Sequence, residues 1–246
     1  MSGTNPVVPL VIAHRGASSE APENTIAAFE LAVGQGADGI ELDVHLSSDG
    51  HPVVIHDATL ERTTDGAGGV AARTMRELKR LDAGAWRGER FRGQRLQTLQ
   101  EVLERFRERA RFWIELKGGS DLYPGIEERV LTAVEMYDVV DRSVVQSFDW
   151  AALGRLREMS DALVLAALIE EGPLDPAVPG GVQALNPSCA LATDAEIARI
   201  RAAGLDCYVW TVNDPREMDR LIRGGATGII TDCPAVLRAR LAPGGA

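Results

Sequence analysis

Two rhythms of apolar and polar residues take turns along this chain, one of period two and one of three to four. The first apolar run, Val7 to Ala13, ends at His14-Arg15-Gly16 and predicts a strand buried on both faces with a polar end. Pro22-Glu23-Asn24-Thr25 then opens a helical pattern through Ala28, Phe29 and Leu31, with Asn24 or Thr25 as cap and Gly34 or Gly36 as its end. From Gly39 the period returns to two. Ile40, Leu42 and Val44 fall on one face of a strand, and Glu41 and Asp43 share the other. Ser47-Ser48-Asp49-Gly50 supplies turn chemistry, and Pro52 to Ile55 reads as a second short strand that delivers His56-Asp57.

The segment from Ala58 to Gln97 breaks this rhythm, with a short helix predicted from Thr74 to Leu81 and irregular chain from Trp86 to Gly93. Thr98 to Glu101 has capping-box spacing and starts an amphipathic helix through Leu99, Val102, Leu103 and Phe106. The next strand, Phe112 to Lys117, sets Ile114 and Leu116 against Glu115 and Lys117 on the opposite face. Helices follow at Gly125 to Met136 and, capped by Asp149, at Trp150 to Met159, with a strand at Val144 to Phe148 between them. Leu163 to Ile169 is strand-like, Gly172 to Gly181 carries no clear helix, and Val182 to Pro187 is a weak strand. Thr193 to Glu196 is another capping box, for a helix ending at Gly204, and Cys207 to Val212 is a strand with Tyr208 and Trp210 on one face. Asp214-Pro215 caps a helix to Gly224, Gly228 to Thr231 is the last strand, and a short helix follows Pro234.

Strand and helix alternate through eight units, which implies a parallel sheet with right-handed crossovers. In 246 residues this predicts a closed (β/α)8 TIM barrel over residues 1–246 as a single domain, with an insertion at about 58–97 after the second barrel strand. An open nucleotide-binding sheet is disfavoured, because no GxGxxG follows the first strand. His14, Glu41, Asp43, His56, Glu115, Lys117, Gln146, Trp210, Asn213 and Asp232 all fall at or just past strand C-termini, the rim where barrel active sites are built.

A hydrophobic content of 45% suits a buried core, and a net charge of -10 argues against nucleic acid or an anionic membrane as partner. No run is long and apolar enough for a membrane span, and Met1 to Pro9 lacks the features of a signal peptide. Cys189, Cys207 and Cys233 form no CxxC pair and read as reduced thiols, so a cytoplasmic protein is expected.

Two carboxylates on one strand face, about 4 Å apart, repel by roughly 4 kcal/mol at an effective dielectric near ~20, so the pair calls for a cation. With Glu115 from another strand, Glu41 and Asp43 make an all-oxygen set suited to one hard divalent ion, Mg²⁺, Ca²⁺ or Mn²⁺, rather than Zn²⁺. His14 and His56 flank that set as an acid and base, and Arg15 and Lys117 add positive charge for an anion such as a phosphate. Together they indicate phosphoester cleavage. Lys117 has pairing with Glu115 as its ordinary role, and Phe148 and Trp210 divide between barrel filling and substrate packing. Gln146 and Asn213 are expected to contact metal, substrate or their supporting groups. The ordinary reading of Asp232 is a cap ahead of Pro234, and that of Arg62, Thr63 and Thr64 is support of the insertion.

His14-Arg15-Gly16, Pro22-Glu23-Asn24-Thr25, Glu41-Leu42-Asp43-Val44, Asp49-Gly50, His56-Asp57, Leu60 with Arg62-Thr63-Thr64, Glu115-Leu116-Lys117, Gln146-Ser147-Phe148, Trp210-Thr211-Val212-Asn213 and Thr231-Asp232 resemble the signature of the glycerophosphodiester phosphodiesterases, in order and over nearly the whole chain. The resemblance implies a barrel enzyme that hydrolyses a small anionic glycerophosphodiester to glycerol 3-phosphate and an alcohol. It also implies one divalent cation on Glu41, Asp43 and Glu115, with His14 and His56 as the acid–base pair. Substrate contacts are expected from Arg15, Lys117, Gln146, Phe148, Trp210 and Asn213. The expected reaction is attack of the substrate's own 2-hydroxyl on phosphorus, one histidine taking its proton and the other protonating the departing alcohol, followed by water opening the cyclic phosphate. Gln97 stands where the family usually has proline, and Leu163 to Pro187 matches only loosely, so no contact is carried over there. Two alternatives remain: a cyclising phospholipase-type lyase, separable by its product, and a noncatalytic phosphoester-binding module, expected to lack a histidine or carboxylate. The residue pattern specifies neither the leaving alcohol nor an oligomeric state.

Overall fold

Among the residues that the computed structural model describes, 8–175 and 181–242, eight parallel strands close on themselves. They are β1 (Leu10–His14), β2 (Gly39–Leu46), β5 (Arg111–Leu116), β6 (Ser143–Ser147), β7 (Val164–Ile169), β8 (Ala184–Pro187), β9 (Asp206–Val209) and β10 (Gly228–Thr231). β1 pairs with β2 on one side and with β10 on the other, which closes the ring. The expected (β/α)8 barrel is therefore present. β2 runs on past the barrel and pairs antiparallel with β3 (Pro52–Val54), which in turn pairs with β4 (Gln97–Thr98). The predicted start of the first strand at Val7 and part of the Gly172 to Gly181 stretch lie outside the described residues.

The helices are α1 (Ile26–Gly34), α2 (Met75–Leu78), α3 (Leu99–Phe106), α4 (Ile126–Met136), α5 (Trp150–Met159), α6 (Asp194–Ala202), α7 (Pro215–Gly224) and α8 (Pro234–Leu241), and all but α4 and α8 begin where a side chain satisfies a free N–H group. Thr25 caps α1 by accepting from the Ala28 N–H, and complete capping boxes start α2 at Thr74 and α3 at Thr98. Asp149, Thr193 and Asp214 cap α5, α6 and α7. No helix joins β7 to β8 among the described residues, in line with the Gly- and Pro-rich sequence there.

Period two sorts the strand side chains between two cores. Ile40, Leu42 and Val44 point outward and pack with helical residues such as Phe29, Leu103 and Phe106. Inward-facing Ile12, Trp113, Tyr208 and Ile230 fill the barrel, with the Trp113 and Tyr208 rings edge to face at 5.2 Å. Gly39 makes room for Trp113, since a Cβ there would lie 2.3 Å from the indole. The segment inserted after β3 has a small core of its own, in which Leu60, Val70, Met75, Leu78, Ala83 and Leu96 close over Val53 and Ile55. Its helix is shorter than the predicted Thr74 to Leu81, because the Asp82 carboxylate accepts the N–H groups of Gly84, Ala85 and Gly93 and turns the chain. No helix among the described residues is long and apolar enough to cross a membrane.

Candidate active site

Strand register assembles the acidic cluster. Across the β2–β5 ladder Asp43 stands opposite Glu115, and across β1–β2 His14 stands opposite Glu41. Glu41, Asp43 and Glu115 are all buried, and an oxygen from each lies within 4.8 Å of the others. Burial, and then the charges of Asp43 and Glu115, push the Glu41 carboxyl far above its ordinary range. Burial and the charge of Asp43 push Glu115 up to about 7. Asp43 is held well below its ordinary value in spite of burial, by Lys117 and Arg15. The Lys117 ammonium spans the cluster, 2.9 Å from Asp43 Oδ1 and 2.6 Å from Glu115 Oε1. An all-oxygen donor set this tight, with two members driven toward protonation, matches the demand of a hard divalent cation.

Neighbours fix each carboxylate. The Arg15 N–H donates to Glu41 Oε2 at 3.0 Å, and Gln146 Nε2 donates to Glu41 Oε1 at 3.2 Å while Gln146 Oε1 accepts from Asn186 Nδ2 at 2.7 Å. Arg15 Nε lies 3.2 Å from Asp43 Oδ2, which also accepts from Asn24 Nδ2 at 2.7 Å. Arg15 and Asn24 both adopt left-handed φ angles, 56° and 57°, which few non-glycine residues do. Gly16 continues that turn at φ 84°, where a Cβ would sit 2.6 Å from the Ala28 carbonyl carbon.

Each histidine is oriented from behind by a carboxylate. His14 Nδ1 lies 2.7 Å from Asp232 Oδ1, and Asp232 also accepts from Ser18 Oγ at 2.8 Å and Asn213 Nδ2 at 2.6 Å. His56 Nδ1 lies 2.6 Å from Asp57 Oδ1. The Arg62 guanidinium grips Asp57 through two donors and Glu23 through two more, and Glu23 accepts from Arg15 as well. One chain of charge thus links the insertion to the carboxylate cluster. Burial lowers the His56 pKa. Behind it, His45 Nε2 donates to the His56 carbonyl at 2.9 Å, so Nδ1 accepts from the Tyr123 hydroxyl at 2.6 Å.

A cavity of about 350 Å³ opens above the carboxylates. His14, Arg15, Glu41, His56, Glu115, Lys117 and Gln146 line it toward the cluster, and Phe148, Leu168, Glu170 and Trp210 line it along β6, β7 and β9. The Phe148 and Trp210 rings meet edge to face at 5.5 Å, and Trp210 Nε1 donates to the Asn186 carbonyl at 2.7 Å.

The structure brings the residues singled out in the sequence to one rim, with Asn213 among the groups that support it. Asn213 is absent from the cavity wall; its amide oxygen accepts from Thr231 Oγ1 and the Asp232 N–H while its amide nitrogen donates to Asp232. Asp232 is no cap either: its side chain turns to His14, and Cys233 holds the cap position of α8. Asn24 leaves the capping of α1 to Thr25. Glu23, Asn24, Asp57, Arg62 and Asp232 all stood inside the quoted motifs, but Asn24 and Asp232 were read as caps, Arg62 as support of the insertion, and Glu23 and Asp57 without a role; His45, Tyr123 and Asn186 carried no sequence signal.

The sequence model of the Glycerophosphoryl diester phosphodiesterase family matches residues 14–236. This chain belongs to that family. As a member it is 43% identical over 232 residues to the glycerophosphodiester phosphodiesterase of Caldanaerobacter subterraneus subsp. tengcongensis, covering 93% of this chain and 96% of that protein. A phosphodiesterase from Oleispira antarctica, solved in complex with the product sn-glycerol-3-phosphate, superposes with a TM-score of 0.87 at 30% identity, covering 94% of this chain and 96% of that one. The glycerophosphodiester phosphodiesterase structure from Agrobacterium tumefaciens gives 0.83 at 32% identity, over 94% of this chain and 99% of that one.

Proposed function

We propose that this chain hydrolyses glycerophosphodiesters to sn-glycerol 3-phosphate and an alcohol, with His14 and His56 as the acid–base pair and a divalent cation on Glu41, Asp43 and Glu115. One observation carries the reading: two imidazoles, each tethered at Nδ1 by a carboxylate, face one cavity floored by three clustered acids. The product bound by the Oleispira antarctica relative supports the same substrate class.

A Mg²⁺, Ca²⁺ or Mn²⁺ ion held there would offset the carboxylate charge and polarise phosphate and hydroxyl oxygens, a contribution of several kcal/mol (on the order of a metal Lewis acid). Arg15 and Lys117 supply cationic groups for the phosphate oxygens. With its pKa lowered by burial, His56 offers a free Nε2 lone pair at neutral pH and takes the proton of the substrate 2-hydroxyl as that oxygen attacks phosphorus. His14, fixed by Asp232, gives its Nε2 proton to the departing alcohol as the P–O bond breaks. In the second half His14 takes a proton from water, which opens the cyclic phosphate, and His56 returns its proton to the 2-oxygen. Each histidine contributes about 10²- to 10⁴-fold. Three free cysteines suit a reducing compartment, the cytoplasm.

The test is metal-stripped protein assayed on glycerophosphocholine and glycerophosphoethanolamine, with Mg²⁺, Ca²⁺ or Mn²⁺ restored one at a time and products read by phosphorus NMR. Metal-dependent release of sn-glycerol 3-phosphate, lost in His14→Ala and His56→Ala, is expected. Cyclic phosphate as the only product would instead make the chain a lyase, and calorimetric binding without turnover would make it a binding module.

A further inference from the structure

The far wall of the cavity has a chemistry that the phosphoester reading leaves unused. Glu170 follows β7 and Trp210 follows β9, neither of which pairs with β2 or β5, the strands that carry the metal-type cluster, and Phe148, after β6 next to β5, turns its ring to Trp210. Aromatic rings present a negative electrostatic face, and these two meet edge to face with Phe148 45% exposed. Glu170 lines the same cavity, and among the described residues its carboxylate meets neither a cation nor a hydrogen-bond donor, only its main-chain carbonyl accepting from Ser188 Oγ. The acids at the other end are all engaged: Glu41 by the Arg15 N–H and Gln146, and Glu115 by Lys117. The cavity cations, Arg15 and Lys117, stand only at that end. The cavity is therefore polarised, positive groups beside the cluster and a free carboxylate with two π surfaces opposite.

We infer that this wall is a head-group subsite for an ammonium-bearing alcohol, with Glu170 as its specificity-determining residue. The inference rests on the diesterase reading above and adds the class of alcohol. A cation seated there gains from the ring faces and from the carboxylate charge, whereas an uncharged polyol has no charge for either to attract and keeps only hydrogen bonds to the carboxylate. Because both features are solvent-facing, the discrimination is modest, about threefold to tenfold.

The test compares kcat/KM for glycerophosphocholine and for glycerophosphoglycerol, whose head group is uncharged, in the native chain, Glu170→Gln and Glu170→Lys. The native chain should favour the choline diester, the ratio should fall about threefold to tenfold in Glu170→Gln, and it should fall further in Glu170→Lys. A ratio that both variants leave unchanged while both diesters are cleaved overturns the inference and leaves the diesterase reading standing. Cleavage of neither diester by the native chain overturns the diesterase reading and this inference with it.

Discussion

Supplying a divalent ion to the metal-free protein should stabilise it in a strongly pH-dependent way. The Glu115 carboxyl is raised from 4.5 to about 7 by burial and by Asp43, and Glu41 is displaced in the same direction. Between those two values the folded chain binds more protons than the unfolded one, so the stability contributed by Glu115 is complete below 4.5 and is lost as pH rises through about 7. For a group this buried the interval amounts to about 3 kcal/mol. A bound cation keeps the carboxylates ionised and removes that loss. The gain in melting temperature on adding the ion should therefore be small near about pH 5 and larger by about 6–12 °C near about pH 8, for a chain of this size. Scanning fluorimetry of metal-stripped protein, with and without millimolar Mg²⁺, Ca²⁺ or Mn²⁺, measures it directly. Glu115→Gln, neutral throughout, should flatten the slope of the metal-free curve. An ion that raises the melting temperature equally at both ends of the range, or more at the acidic end, would refute the argument.

Four other expectations follow from single contacts. Asp232→Asn should lower kcat by on the order of 10²-fold with KM near native, because it disturbs the orientation of His14 while the other bonds it alters, to Ser18 and Asn213, lie outside the reacting groups; an unchanged kcat would remove Asp232 from that role. With His56 as base, its depressed pKa keeps it neutral further into acid, so the acidic limb of kcat/KM should fall below 6.5; a limb above that value would reassign the base. Tyr123→Phe strips the buried His45 Nδ1 of its donor and should cost about 1–3 kcal/mol in urea denaturation. Trp113→Ala should cost about 3–5 kcal/mol by the same measurement, since no other side chain fills the space Gly39 leaves for the indole.

The barrel was legible because its strands obey a strict local rule: outward positions such as Ile40 and Leu42 are apolar, and inward ones carry either filler or function. The same rule placed Glu41, Asp43 and Glu115 together once the ring closed, since parallel register sets like-facing positions side by side. What escaped was pairing across long separations. His14 and Asp232 are 218 residues apart and meet only because β1 and β10 are neighbours. Asp232 ahead of Pro234 looks locally like any helix cap, and Asn24 beside Thr25 looks like one of two equal caps. Tertiary partners decided both, an imidazole for one and a buried carboxylate for the other. Asn213 was placed correctly at a strand end, but a rim position does not say whether a side chain faces the cavity or its neighbour. Nor does a loop-like stretch reveal that Arg62 reaches back to Glu23, 39 residues earlier.

β2 leaves the barrel without interruption and becomes one side of a hairpin, with the Ile55 N–H donated to the Asp43 carbonyl and the Lys117 N–H to that of Val44. The spacing between the acids and His56 is thereby a ladder spacing, set by main chain rather than by loop tension. Amide protons at Ile55 and Lys117 are therefore expected to exchange slowly with solvent, since the site loosens only as the sheet beneath it opens. On this construction the frame under the acids and His56 is main-chain ladder, and the parts left free to adjust are the side chains around the mouth.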